Sequence, residues 1–208
     1  MKSKMMIIAV LLLTAACSPA QQTINLPTPD KNVKMTLMEA LQNRHSSRTF
    51  TDKEVNNETL SQVLWAACGI NRPAEEKITA PSAINAQDIV VFVCRKDGAW
   101  RYDAESHSLV FVTEKDLRKA IAGRQEFAAT APLSLVIASN KSRFGNHREG
   151  ATRMGLIDSG YVSQNIALIC TALGLNTVPR MSMETDVLKK ELLLGDDYEL
   201  ILNHPIGF

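Results

Sequence analysis

Arg44, Ser46 and Arg48 alternate along the stretch RHSSRTF, with His45 and Ser47 between them. Two guanidinium forks and two hydroxyls so close together can grip a phosphate, because arginine keeps its charge and pairs bidentately with phosphate oxygens. A solvated helix end, with cations near the negative end of the helix dipole, has the same composition. A second polar group lies in PSAINAQ, residues 81–87, where Ser82, Asn85 and Gln87 place a hydroxyl and two amides in one loop. Amides donate and accept at once, which suits the mixed edge of a heterocycle; a plain polar loop also carries them. A third group, Asp158, Ser163, Gln164 and Asn165, interrupts an apolar helical pattern. Gly155 and Gly160 in that pattern each cost about 1 kcal/mol of helix propensity. Small residues there admit another helix or a flat ligand.

These groups need elements to position them. Thr36 and Glu39 have capping-box spacing, which predicts a helix reaching the RHSSRTF motif with Met38, Ala40 and Leu41 on its apolar face. A second helix is predicted from about Asn57 to Cys68. Residues 77–88 read as a loop, and IVVFVC (89–94) as a continuous apolar strand. Residues 99–112 read as a hairpin, and Thr113 as the cap of a short helix over 114–122. Another short helix is predicted near 125–130, and a buried strand over 133–139. Residues 150–174 form the longest helical pattern, followed by a short helix (184–193) and a last strand (198–203). Helices alternate with two groups of strands, an α+β layout with one sheet covered by helices.

The chain has 208 residues, enough for one sizeable core, and a net charge of +1. No basic stripe points to nucleic acid. Residues 1–20 read as a signal segment: Lys2 and Lys4, an apolar run, then Ala15 and Ala16 before Cys17. The layout resembles a bacterial lipoprotein signal in which Cys17 is lipidated, although Thr14 stands where leucine is usual. Cleavage after Ala20 is the competing reading. The domain is then exported to the cell envelope or periplasm and touches the membrane only through its anchor. Residues 21–34 read as a polar linker, and the domain begins at residue 35. Cys68, Cys94 and Cys170 read as buried free thiols with no metal spacing. His107, His147 and His204 read as surface or capping residues.

Taken in order, the motifs resemble the nitroreductase family of flavin mononucleotide (FMN) enzymes. The family pattern has R-x-S-x-R/K at the end of the first core helix and P-S-x-x-N-x-Q before the first strand. A helix with D/E-x-G-x-x-x-Q-N then leads to LGL, and P-V/I-G-Y/F comes after it. This chain has Pro205, Ile206, Gly207 and Phe208 at that last motif. The resemblance covers residues 36–208. It implies a small single domain with a central, mainly antiparallel sheet flanked by helices.

The resemblance also implies roles. Arg44 grips the FMN phosphate, Ser46 donates a hydroxyl bond, and His45 and Ser47 add backbone contacts. Arg48 lies by the pyrimidine edge and favours the charge that develops on reduction. Ser82, Ala83 and Asn85 reach the flavin of a second copy, so a homodimer is implied. Backbone at Pro179, Arg180 and Met181 faces the ring. Many members carry a basic tail after the last motif; with none in this sequence, Arg44 carries more of the phosphate charge or Arg180 helps. No single side chain is expected to be catalytic, and no metal is expected.

The implied activity is two-electron, ping-pong transfer from a small-molecule donor to a nitroaromatic or quinone-like acceptor. Outside the cytoplasm the donor is expected not to be a reduced nicotinamide nucleotide. The alternatives are a non-catalytic flavin- or partner-binding lipoprotein and an oxidase-type relative acting on an organic substrate. For the anchor, the expected outcome of Cys17→Ser is transfer from the membrane fraction to the soluble envelope fraction. An unchanged distribution after cell fractionation selects cleavage after Ala20.

Overall fold

The computed structural model describes residues 22–208. The signal-like segment, residues 1–20 with Cys17, lies outside the described residues. In chain order the elements are β1 (Thr23–Asn25), α1 (Leu37–Asn43), α2 (Asn57–Cys68), β2 (Ile70–Arg72), β3 (Lys77–Ile78), β4 (Ile89–Arg95), β5 (Gly98–Asp103) and β6 (Ser108–Thr113). Then come α3 (Arg118–Ala122), β7 (Leu133–Asn140), α4 (Ala151–Ala172), β8 (Asn176–Thr177), α5 (Thr185–Glu191) and β9 (Tyr198–Gly207).

Seven strands form one sheet in the order β1-β6-β5-β4-β7-β9-β8, every pair antiparallel. β2 and β3 form a separate hairpin. Side chains alternate across a strand, and both faces of the central strands are covered. Val91 and Val93 of β4, with Leu135 and Ile137 of β7, pack beneath α2 and α4. Phe92 and Cys94, with Val136 and Ala138, pack beneath α3 and α5. That double covering is why β4 and β7 read as continuous apolar runs rather than alternating ones. Among the described residues Cys68, Cys94 and Cys170 are buried free thiols, and burial pushes the Cys68 thiol up to about 12.

α1 starts where its capping box places it: Thr36 accepts from the Glu39 N–H and Glu39 from the Thr36 N–H. Its expected apolar face is not a core face. Only Ala40 is buried, while Leu37, Met38 and Leu41 are 65%, 73% and 46% exposed. α1 lies along α4, which leaves Leu156, Ile157 and Tyr161 exposed as well. Thr113 ends β6 instead of capping a helix, and α3 begins at Arg118.

The polar segment 21–34 is not simply a linker, because Thr23–Asn25 join the sheet. Thr23–Asn25 pair with Ser108–Val110 and cover the edge of β6. Leu26 is buried, and its N–H donates to the His107 carbonyl. Ser61 Oγ donates to the Pro27 carbonyl and lies 2.7 Å from His107 Nε2. His107 Nδ1 in turn lies 2.9 Å from the Tyr102 hydroxyl. With the Ser61 proton committed to Pro27, the network assigns His107 Nε2–H as a donor and Nδ1 as an acceptor. His107 is thus a clasp on the N-terminal segment, not a free surface residue.

Removing residues 22–27 exposes Leu26's site and leaves Ser61 and His107 without the Pro27 carbonyl. The expected loss is about 3 kcal/mol of unfolding free energy in a urea titration. A mere linker would be lost without effect.

Candidate functional site

The Arg/Ser segment begins where α1 ends. Arg44 is the C-cap, its N–H bonded to the Ala40 carbonyl, and the backbone then turns extended. Three long-range bonds hold the extended backbone beyond it. The Ser47 N–H donates to the Thr177 carbonyl at 3.0 Å, Asn176 Nδ2 to the Thr49 carbonyl at 3.0 Å, and the Thr51 N–H to the Phe208 carbonyl at 2.7 Å. The segment therefore lies along β8 and the end of β9. Gly207 makes this possible, since a Cβ there would fall 2.6 Å from Pro132 Cδ and 3.4 Å from the Phe50 ring. His45, Ser46 and Arg48 are exposed and Arg44 is half-buried. Among the described residues neither Arg44 nor Arg48 has a carboxylate partner. Their charge is uncompensated beside two serines, which is the donor set a phosphate needs.

Behind this segment stands a polar core that the sequence pattern did not reveal. His204 is fully buried, with Nε2 2.8 Å from Ser163 Oγ and Nδ1 3.2 Å from Thr177 Oγ1. Burial pushes the imidazole down to about 3, so it is neutral at physiological pH. It fixes Thr177, whose carbonyl holds Ser47, to α4. His204 is a core residue, contrary to the surface reading.

The 82–87 loop is braced by Asp158, nearer the start of α4. The Ala83 N–H donates to both Asp158 carboxylate oxygens, at 3.1 and 2.9 Å. Ser82 Oγ accepts the Gln87 N–H, and the Ser82 carbonyl accepts the Asn85 N–H. Ile84, Asn85 and Gln87 all have positive φ, at 48°, 58° and 48°. Such geometry costs of order 1–3 kcal/mol at each strained residue and tends to gather at functional sites. Ile84 is β-branched and 58% exposed, so the strain is not repaid by burial there.

Arg180 is a correction to the predicted site. Its guanidinium is buried: Nη1 donates to Asn203 Oδ1 and the Ile121 carbonyl, Nη2 to the Ala122 carbonyl, and Nε to Gln125. It caps the last turn of α3 and cannot help hold a phosphate. Its backbone N–H and carbonyl are also taken, by Asn203. Its neighbours Pro179 and Met181 are exposed.

Both polar groups are tied to α4, the 82–87 loop at Asp158 and the Arg44 segment through Thr177 and His204 to Ser163 further along the helix.

The fold is a small α+β domain, a helix-covered antiparallel sheet with both polar loops tied to one long helix. The chain belongs to the nitroreductase family: residues 41–208 match the family model. It is 29% identical over 198 residues to the Methanocaldococcus jannaschii protein called "Putative nitroreductase MJ1384", covering 89% of this chain and 96% of that protein. A solved Ralstonia eutropha JMP134 structure, described as "a putative nitroreductase", is 33% identical with a TM-score of 0.84. The match covers 96% of this chain and 95% of that one. A Clostridium difficile 630 nitroreductase family protein shares the fold at a TM-score of 0.60 and 24% identity, over 84% of each chain.

The two arginines differ in a way stability measurements can separate. Arg180→Met strands buried carbonyls and is expected to cost about 3 kcal/mol in denaturant unfolding. Arg44→Ala, with no internal partner to lose, is expected to stay within about 0.5 kcal/mol of the parent.

Proposed function

We propose that the protein is an FMN-dependent oxidoreductase that works as a homodimer and passes two electrons in ping-pong fashion to a nitroaromatic or quinone-like acceptor. The carrying observation is the braced segment 44–51, which presents two uncompensated arginines and two serines on a backbone fixed to β8 and β9. The residues fit the cofactor: Arg44 and Ser46 hold its phosphate, with backbone at His45 and Ser47 alongside. Arg48 sets a fixed positive charge where the ring gains electrons. When bound, the flavin supplies the redox chemistry, and the protein supplies placement and charge.

Dimerisation is supported by the apolar surface that α1 and α4 leave exposed. Leu37, Met38, Leu41, Leu156, Ile157 and Tyr161 are exposed on neighbouring helices, beside a groove of about 350 Å³. Covering such a surface with a second copy brings the Ser82, Ala83 and Asn85 loop of one chain toward the Arg44 segment of the other. Pro179 and Met181 then border the ring; the Arg180 side chain has no part in it. We further place the protein in the cell envelope, lipid-anchored through Cys17, on the strength of the N-terminal sequence.

The test is the visible spectrum of purified residues 21–208. The expected result is a yellow protein with flavin bands whose FMN affinity falls about 10- to 100-fold in Arg44→Ala, the loss of one charge-assisted contact. A colourless parent that does not rebind added FMN overturns the reading.

A further inference from the structure

Asp88 comes directly after the 82–87 loop and immediately before β4. It is fully buried. Its side chain accepts a short hydrogen bond from Ser139 Oγ of β7, and its carbonyl accepts the Asn140 N–H at 2.8 Å. Asp158 of α4, 1% exposed, is close enough for the two carboxyls to share a hydrogen bond. Gly155, one turn earlier on α4, lets the helix approach this closely, since a Cβ there would lie 2.4 Å from Ser139 Oγ and 3.2 Å from Asp88 Oδ2.

Two ionised carboxylates in such a place accept hydrogen bonds but donate none. Asp88 Oδ1 is buried with no partner. A proton on the pair supplies the missing donor and removes the like-charge repulsion. We propose that Asp88 carries a proton facing Asp158 and that this proton determines how firmly Asp158 holds the Ala83 N–H, which makes Asp88 a positioning residue for the 82–87 loop. Its consequence for ligand binding rests on the FMN reading above.

The surroundings fit this role. Desolvation is the largest cause that raises the Asp88 carboxyl, from 3.8 to about 6; the bond from Ser139 opposes it, and the neighbouring Asp158 adds to it. The groups facing Asp88 are Ser139 from β7 and Gly155 and Asp158 from α4; among the described residues Asp158 is the charged group acting on it. Loss of the proton leaves two buried anions in contact. Asp88 is tied to β7 by its side chain and its carbonyl, so the repulsion falls on Asp158 and on the loop it holds. That loop has three residues at positive φ and is tied to Asp158 by the Ala83 N–H. The 82–87 loop is therefore tight below about pH 6 and loosened above it.

Linkage gives the sign for stability. Between about pH 4 and 6 the folded chain keeps a proton that the unfolded chain has released, so stability from this group falls as pH rises through that window. Asp88→Asn mimics the protonated acid: its amide can accept from Ser139 and donate to Asp158 at every pH.

The experiment is hydrogen exchange on residues 82–87 from about pH 4.5 to 8, corrected for intrinsic rates, in wild type and Asp88→Asn. Wild-type protection is expected to fall at least tenfold across pH 6, with a flat profile in the variant. No step in wild type, or the same step in both proteins, overturns the proposal. Should the variant fail to fold, Ser139→Ala decides, because removing a bond that favours the charged form must move the step to higher pH; an unmoved or lowered step is a refutation. FMN release is then compared between the same proteins, since its phosphate also titrates near pH 6 and is common to both. A step without FMN binding keeps this inference and sinks the flavin reading; FMN binding without a step does the reverse.

Discussion

Helix α4 sets Val162, Ile166 and Cys170 against the sheet, four residues apart on one buried stripe. Each fully buried aliphatic side chain stabilises by about 1.5–3 kcal/mol, so the helix cannot easily slide or rotate. Its polar residues inherit that rigidity. Asp158 near one end holds Ala83, and Ser163 at the centre holds His204 and through it Thr177. Both loops of the site thus take their positions from one helix, whose seat is apolar and whose polar atoms are aimed by that seat. The family membership and the site geometry meet at this helix.

Arginines of identical chemistry have opposite roles here. Arg180 is enclosed and commits its guanidinium donors to carbonyl and amide oxygens of its own fold. Arg48 is exposed and has no carboxylate beside it among the described residues. Residue type alone could not separate them. Burial decides, because a guanidinium in the interior must be satisfied locally, while one at the surface is free to meet a ligand.

The same distinction explains what was legible in the sequence. α2, β4, β7 and α4 are periodic or continuously apolar over several residues, and their burial comes directly from that pattern. β1 escaped because three residues, Thr-Ile-Asn, carry no periodic signal; only β6, far along the chain, makes them a strand. α1 misled in the other direction, since an amphipathic pattern says that an apolar face exists but not what covers it. RHSSRTF and PSAINAQ were visible as polar clusters. The bracing residues His204 and Asp88 were not, because each is a single polar letter at the head or centre of an apolar strand. Asp88 in front of IVVFVC was the available clue: an acid entering a core needs a partner or a proton.

Both edges of the sheet are closed by segments made early whose partners are made late. Thr23–Asn25 wait for β6, and Thr49 accepts a bond from Asn176 across 127 residues. Thr51 waits for Phe208. Contacts of such sequence separation form late in folding, since the entropy of closing a long loop must be met first. During synthesis the Arg44 segment therefore leaves the ribosome with nothing to shape it. It takes its extended shape only after β8 and β9 have docked. A ligand held there is taken up by the assembled fold and cannot serve as the template on which that fold is built.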